Sequence, residues 1–127
     1  IENCVHENIA FLPWSPLAGG LLTGKYLNGA RPEGSRFTLT QRNGLFLDND
    51  QANNAVNEFV QIAKANKITP AQLALAWCAQ VDGVSSTIIG ATSIEQLSEN
   101  IKAFEIQLSE TLLKAIDRVL RRYPMPF

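Results

Sequence analysis

Cysteine, histidine, net charge and long apolar runs are all scarce in these 127 residues: there are two Cys, one His, and a formal charge of −1. Each scarcity closes a class of function. Cys4 and Cys78 lack both the paired spacing of a zinc site and the density of a secreted disulfide scaffold, so both read as reduced, structural thiols. His6 lies in a polar segment with no nucleophile beside it, which makes it an expected surface residue. No Ser-His-acid arrangement, clustered metal ligands or paired carboxylates are visible, so no metal and no catalytic residue is expected. Balanced charge gives no global attraction to nucleic acid or to anionic lipid. No run approaches the roughly 20 apolar residues that span a bilayer, and no signal-peptide pattern is present. The expectation is a cytoplasmic protein with neither nucleic-acid nor membrane partners.

What is present is the composition of a globular domain, with 46% apolar and 18% charged residues, enough for one real core across residues 1–127. The chain opens on Ile1-Glu-Asn-Cys-Val-His-Glu-Asn8, which has no initiator Met and reads as the tail of a helix. Ile9 to Trp14 (IAFLPW) is short and apolar, as a buried strand of an α/β fold would be, although Pro13 makes its last residues poor ladder donors. From Leu27 to about Asp50 no periodicity survives, and so long a loop in a compact domain is either functional or disordered.

Ala52, Val56, Phe59 and Ala63 then recur at helical spacing, predicting a helix that ends near Asn66. Thr69-Pro-Ala-Gln72 supplies an N-cap, a first-turn proline and a capping-box glutamine, predicting a helix from Pro70 to about Gln80 with Leu73, Ala76 and Trp77 inward. Ser86-Thr-Ile-Ile89 reads as a second buried strand after the Asp82-Gly83 turn. Ser93 opens a helix from Ile94 to about Phe104, and Ser109 opens a last one with Leu112, Ile116, Val119 or Leu120, and Tyr123 inward, stopped by Pro124. Strand, loop, helices, strand, helix is parallel α/β order, but two strands leave unpaired edges. Part of a larger sheet is implied.

Two segments carry candidate chemistry. After the second strand, Gly90 lets a ligand approach the backbone, Thr92 and Ser93 offer hydroxyls, and the first N–H groups of the next helix suit an anion. Gln96 and Asn100, four apart, with Glu99 beside them, could bracket a purine or a ribose; the bland alternative is a capped turn followed by a solvated face. After the first strand, Trp14 can stack on a flat ring, and Ser15, the Pro16 turn and Gly19 present backbone N–H groups. Lys25 adds a cation, and Arg36 a planar guanidinium suited to phosphate. A tryptophan after a strand is also a common core residue.

WSPLAGGLLTGKY followed by RPEGSR, and IIGATSIEQLSEN followed by a capped terminal helix, resemble the C-terminal portion of an aldo-keto reductase. The likeness runs through nearly the whole chain, and is to the branch of Tas-like proteins and potassium-channel β-subunits. The resemblance implies an α/β fold: the C-terminal part, strands seven and eight with their following helices, of a (β/α)8 TIM barrel that carries NADPH at the C-terminal ends of its strands. It implies that Trp14 stacks on the nicotinamide, that Ser15, Pro16, Leu17, Ala18, Gly19 and Lys25 line the pyrophosphate, and that Arg36, Gly90, Thr92, Gln96, Glu99 and Asn100 hold the 2′-phosphate end. Hydride transfer to an aldehyde or ketone would be the reaction.

The family's catalytic tetrad falls outside the matched motifs. Tyr26, Tyr123 and His6 sit in the wrong ones, so an inactive fragment lacking the N-terminal half of its barrel is expected. Exposed apolar surface and self-association follow from that reading, and Lys25 and Arg36 near the expected phosphate site imply a preference for NADPH over NADH. A regulatory, nucleotide-sensing subunit and a ligand-free α/β module are the alternatives.

Overall fold

The structure, a computed structural model, describes residues 1–39 and 47–124. Helix α1 (Glu2–His6) is followed by an extended segment, then by 3-10 turns at Ala18–Thr23 and Leu27–Gly29, and by a single helical turn, α2 (Arg36–Leu39). Four longer helices complete the chain: α3 (Asp50–Ala65), α4 (Pro70–Ala79), α5 (Ile94–Ala103) and α6 (Glu110–Arg122).

Their starts follow from local chemistry. Asn49, Thr69, Ser93 and Ser109 each accept a hydrogen bond from the backbone N–H three residues on, which satisfies one of the donors a helix start leaves open. At Thr69 the Gln72 side chain also reaches back to the Thr69 N–H at 3.0 Å, closing the expected capping box. Ser93 forms half of one, because Gln96 turns its carbonyl oxygen to Thr92 instead.

Two apolar clusters hold these helices together. Phe59 and Ala63 of α3 meet Leu73, Ala74 and Ala76 of α4, Leu108, and Leu112 and Ile116 of α6. Beside them Leu21, Tyr26, Leu47, Val56 and Val60 gather under the 3-10 turns. Burial of each large side chain contributes roughly 1.5–3 kcal/mol before entropy is subtracted. Of the expected inward residues, Leu73 and Ala76 are fully buried, Trp77 is half-buried, and Val119 rather than Leu120 points inward. Gln80 joins α4 to the next segment: its amide donates to the Ile106 carbonyl at 2.8 Å, and its oxygen accepts from the Leu108 N–H at 3.0 Å.

The two expected strands, Ile9–Trp14 and Ser86–Ile89, do not form a ladder, and among the described residues there is no strand. The segments do run parallel and side by side, joined by one bridge between Phe11 and Val84. The Phe11 carbonyl accepts from the Ser85 N–H and the Pro13 carbonyl from the Ile88 N–H, each at 2.9 Å. Three residues separate those donors where two separate the acceptors, so the register slips by one. Pro13 has no N–H to return a rung, and the Phe11 N–H is taken by the Ser85 hydroxyl at 3.1 Å. A lone pair of parallel segments has no neighbour to correct these faults.

The described residues 27–39 and 47–50 hold more regular structure than a periodicity reading of that segment allows. Leu27–Gly29 and Arg36–Leu39 are helical turns, and α3 begins at Asp50. Residues 40–46 of that loop lie outside the described residues.

Candidate functional site

The parallel arrangement places two turns next to each other. Ile88 is bonded to Pro13, so Trp14 and Gly90 leave the paired segments within two residues of the same hydrogen bond. The carboxyl ends of parallel strands are where α/β folds place ligands.

Trp14 is 77% exposed, which rules out the core reading of that residue here. Behind it the backbone takes an unusual path: Ser15 (φ 56°), Ala18 (φ 49°), Gly19 (φ 67°) and Gly20 (φ 100°) all lie in the left-handed region. For Ser15 and Ala18 that conformation costs energy and persists only because the surroundings hold it. The Ala18 N–H donates to the Ser15 carbonyl and the Gly20 N–H to the Leu17 carbonyl, both at 2.8 Å, which winds the loop tightly. Among the described residues no main-chain carbonyl accepts from the N–H of Ser15, Leu17 or Gly19. Successive backbone donors in a left-handed loop suit an anion.

Basic groups flank this loop. A Cβ on Gly20 would come within 2.9 Å of Lys25 Cε, so the glycine lets the lysine stem lie against the backbone, its Nζ 5.2 Å from the Tyr26 ring centre. The Phe37 ring packs on the bare Gly19, where a Cβ would stand 2.6 Å from its Cζ. Arg36, exposed at the start of α2, is thereby tied to the loop through its neighbour. Tyr26 anchors the arrangement from below: its hydroxyl accepts from the Phe37 N–H at 3.3 Å and its ring lies 5.2 Å from that of Phe37. Burial raises the Tyr26 pKa, but the hydrogen bonds from Ser35 and Phe37 and the charge of Lys25 outweigh it, and the net shift is downward.

On the second turn nothing lies within 4 Å of a Cβ on Gly90, leaving its surface open. Gln96 Oε1 accepts from both the N–H and the hydroxyl of Thr92 at 3.0 Å, which fixes the turn. Asn100 is buried beneath it, its amide 3.5 Å from the Gly90 carbonyl. Glu99 is half-buried and accepts from the Thr69 hydroxyl at 2.5 Å, linking α5 to the start of α4. Gln96 and Asn100 are therefore engaged with the turn itself, and Glu99 with the start of α4.

Glu95 was not singled out by sequence reasoning, and it bears on this turn. Its own N–H and the Ser93 hydroxyl hold its carboxylate below the ordinary range. The first turn of α5 thus favours an anion and carries one of its own. An acidic residue two places after a serine cap was the available signal.

His6 is exposed and stands 3.6 Å from Glu7. Tyr123 donates its hydroxyl to Glu58 at 2.9 Å. Tyr26 is 1% exposed. No group of metal-ligating side chains occurs among the described residues.

Residues 1–121 match the model of the aldo/keto reductase family. Protein tas of Escherichia coli is 41% identical over 121 residues, a span of 95% of this chain and 35% of that protein. A probable voltage-gated potassium channel subunit beta of Arabidopsis thaliana is 41% identical over 123 residues, or 94% of this chain and 38% of that protein. A putative subunit of the same kind from Schizosaccharomyces pombe is 44% identical over 119 residues, or 88% and 34%. In fold the chain matches a glycerol dehydrogenase of Gluconobacter oxydans with a TM-score of 0.76 at 23% identity, across 99% of this chain and 38% of that one. The chain spans a little over a third of the length of these relatives.

Proposed function

Since the chain belongs to the aldo/keto reductase family of oxidoreductases, we propose that it is the dinucleotide-binding C-terminal part of a (β/α)8 barrel that reduces aldehydes or ketones with NADPH. The observation that carries this reading is the juxtaposition of the exposed Trp14 ring and the left-handed Ser15–Gly20 loop with the open Gly90 turn. In it, Trp14 stacks on the nicotinamide, the N–H groups of Ser15, Leu17 and Gly19 with Lys25 take the pyrophosphate, and Pro16 and Ala18 hold the loop's path. Arg36, Thr92 and the first turn of α5 receive the 2′-phosphate end, with Gln96, Glu99 and Asn100 holding that turn in shape.

These residues fit such a group: a flat exposed ring, a left-handed, glycine-containing loop and two cations follow the first extended segment. The dinucleotide supplies the hydride; the protein supplies position and neutralises phosphate. In this reading the proton donor comes from a longer polypeptide that contains this chain. We place that protein in the cytoplasm, supported by two free thiols and by the finding that no described helix is long and apolar enough to cross a membrane. The relatives named as potassium-channel β-subunits support a second reading, a nucleotide-sensing regulatory subunit using the same site.

Fluorescence titration of the chain with NADPH and NADH tests the site. Saturable binding is expected, at least tenfold tighter for NADPH and lost in Trp14→Ala. Glu95→Gln is expected to tighten NADPH about two- to fivefold, the weight of one charge at a helix end. Equal affinity for the two dinucleotides would refute the phosphate assignment, and no binding would refute the site. Carbonyl turnover by a longer protein that contains this chain would separate the reductase from the regulatory subunit.

A further inference from the structure

The loop that carries Ser15 to Leu22 roofs a cavity of about 340 Å³, whose floor and walls come from α3, α4 and α6. We propose that this cavity is a binding site for a neutral aromatic molecule of one or two rings, lying beneath the loop that the dinucleotide reading uses.

Size is the first argument. The volume falls in the range of small-molecule pockets and is more than twice that of an apolar cavity known to admit benzene. The space exists because Ala52 and Ala55 of α3 and Ala74 of α4 line it where larger side chains would close it. Chemistry is the second argument. No charged residue lines the cavity, and its polar side-chain groups are the Ser15 and Tyr123 hydroxyls, the Trp77 indole N–H and the Cys78 thiol. Tyr123 already donates to Glu58. A charged guest would lose its hydration with nothing to replace it.

Shape supplies the third argument. Phe59, Trp77 and Tyr123 bring one ring each from α3 and α4 and from the end of α6, so a flat aromatic guest finds three rings in the lining. Phe59 and Cys78 are 8% and 9% exposed, whereas Leu120 at 51% and the exposed Ser15 mark the side open to solvent. A guest would enter there and come to rest under Pro16 and Ala18. The strained loop and the cavity share those residues, so occupancy would brace the loop from beneath.

Hexafluorobenzene, followed by ¹⁹F NMR against the 127-residue chain, is the probe, with benzoate as its charged counterpart. Saturable binding is expected, weakened at least tenfold in Ala55→Phe, whose ring would occupy the space, and much weaker for benzoate. In the unsubstituted chain, ¹⁹F–¹H Overhauser contacts should fall on Phe59 and Ile116 protons, a readout that needs no variant to fold. Absence of saturation, unchanged affinity in a folded Ala55→Phe, benzoate binding as tightly, or Overhauser contacts confined to exposed side chains such as Ile94 and Leu97 would each overturn the proposal.

Discussion

Gly19 and Gly34 have nearly the same backbone conformation, φ 67° and 70°, and opposite surroundings. A Cβ on Gly34 meets nothing within 4 Å, while one on Gly19 would collide with the Phe37 ring. Gly34→Ala therefore carries only the left-handed penalty of about 1–2 kcal/mol. Gly19→Ala adds displacement of Phe37, and with it the Tyr26 contact and the position of α2, for a total of roughly 2–4 kcal/mol. Urea denaturation of the two variants checks this, and equal losses would show that the Phe37 packing is unimportant. Gly19 was legible in the sequence as a loop glycine. That Ser15 and Ala18 share its conformation was not, because neither residue type favours positive φ and only the surrounding packing imposes it. Glu99 and Asn100 were legible as polar residues near a turn, but the partners that engage them, Thr69 and the Gly90 carbonyl, lie 30 and 10 residues away.

Helices were the most readable elements, since a cap and a period are local. Thr69-Pro-Ala-Gln72 specified a start to the residue, and Ser93 and Ser109 did the same. Contacts between elements were not readable, and one gives a pH dependence. Glu58 of α3 accepts from the Tyr123 hydroxyl, at the end of α6, and from Arg122 of α6 at 2.8 Å. The tyrosine hydrogen bond first and the guanidinium second hold its carboxyl below its ordinary value of 4.5. A carboxylate depressed in the folded state contributes stability above its unfolded pKa, and that contribution disappears as pH falls through the folded value. The melting temperatures of the chain and of Glu58→Gln are therefore expected to differ at pH 7 and to converge as pH is lowered from about 4.5 toward 3. A gap independent of pH would show that α3 and α6 are joined by packing alone. The strands failed as elements for the opposite reason: apolar β-branched residues state a preference for extension, but a ladder needs partners on both sides in register.

For the whole molecule, surface area is informative. The chain exposes 8527 Å², against about 6,700 Å² expected from area–mass scaling for a folded monomer of 14.0 kDa. The difference, about 1,800 Å², is more than twice the roughly 800 Å² that one partner covers in a standard protein interface. Much of it is apolar: Ile9, Leu12 and Trp14 on one extended segment, Ile88 on the other, and Ile94, Leu97, Ile101 and Phe104 along α5 are all at least 40% exposed. Patches of that kind seek cover. In isolation the 127-residue polypeptide is expected to self-associate, with a light-scattering mass well above 14.0 kDa that falls on Leu97→Lys and Ile101→Lys substitution. A monomer at millimolar concentration would refute this.

The residues alone determined the helix boundaries, the apolar stripes that became the core, the two motifs after the extended segments, and through those motifs the family. Each depends on neighbours at most four positions apart, or on short signatures read directly. Only the tertiary structure decided that the extended segments lie side by side and bring the two turns together, that Trp14 is exposed rather than core, and that alanines of two helices line one cavity. Those outcomes depend on which distant segments fill the space around a residue, and no local preference encodes that.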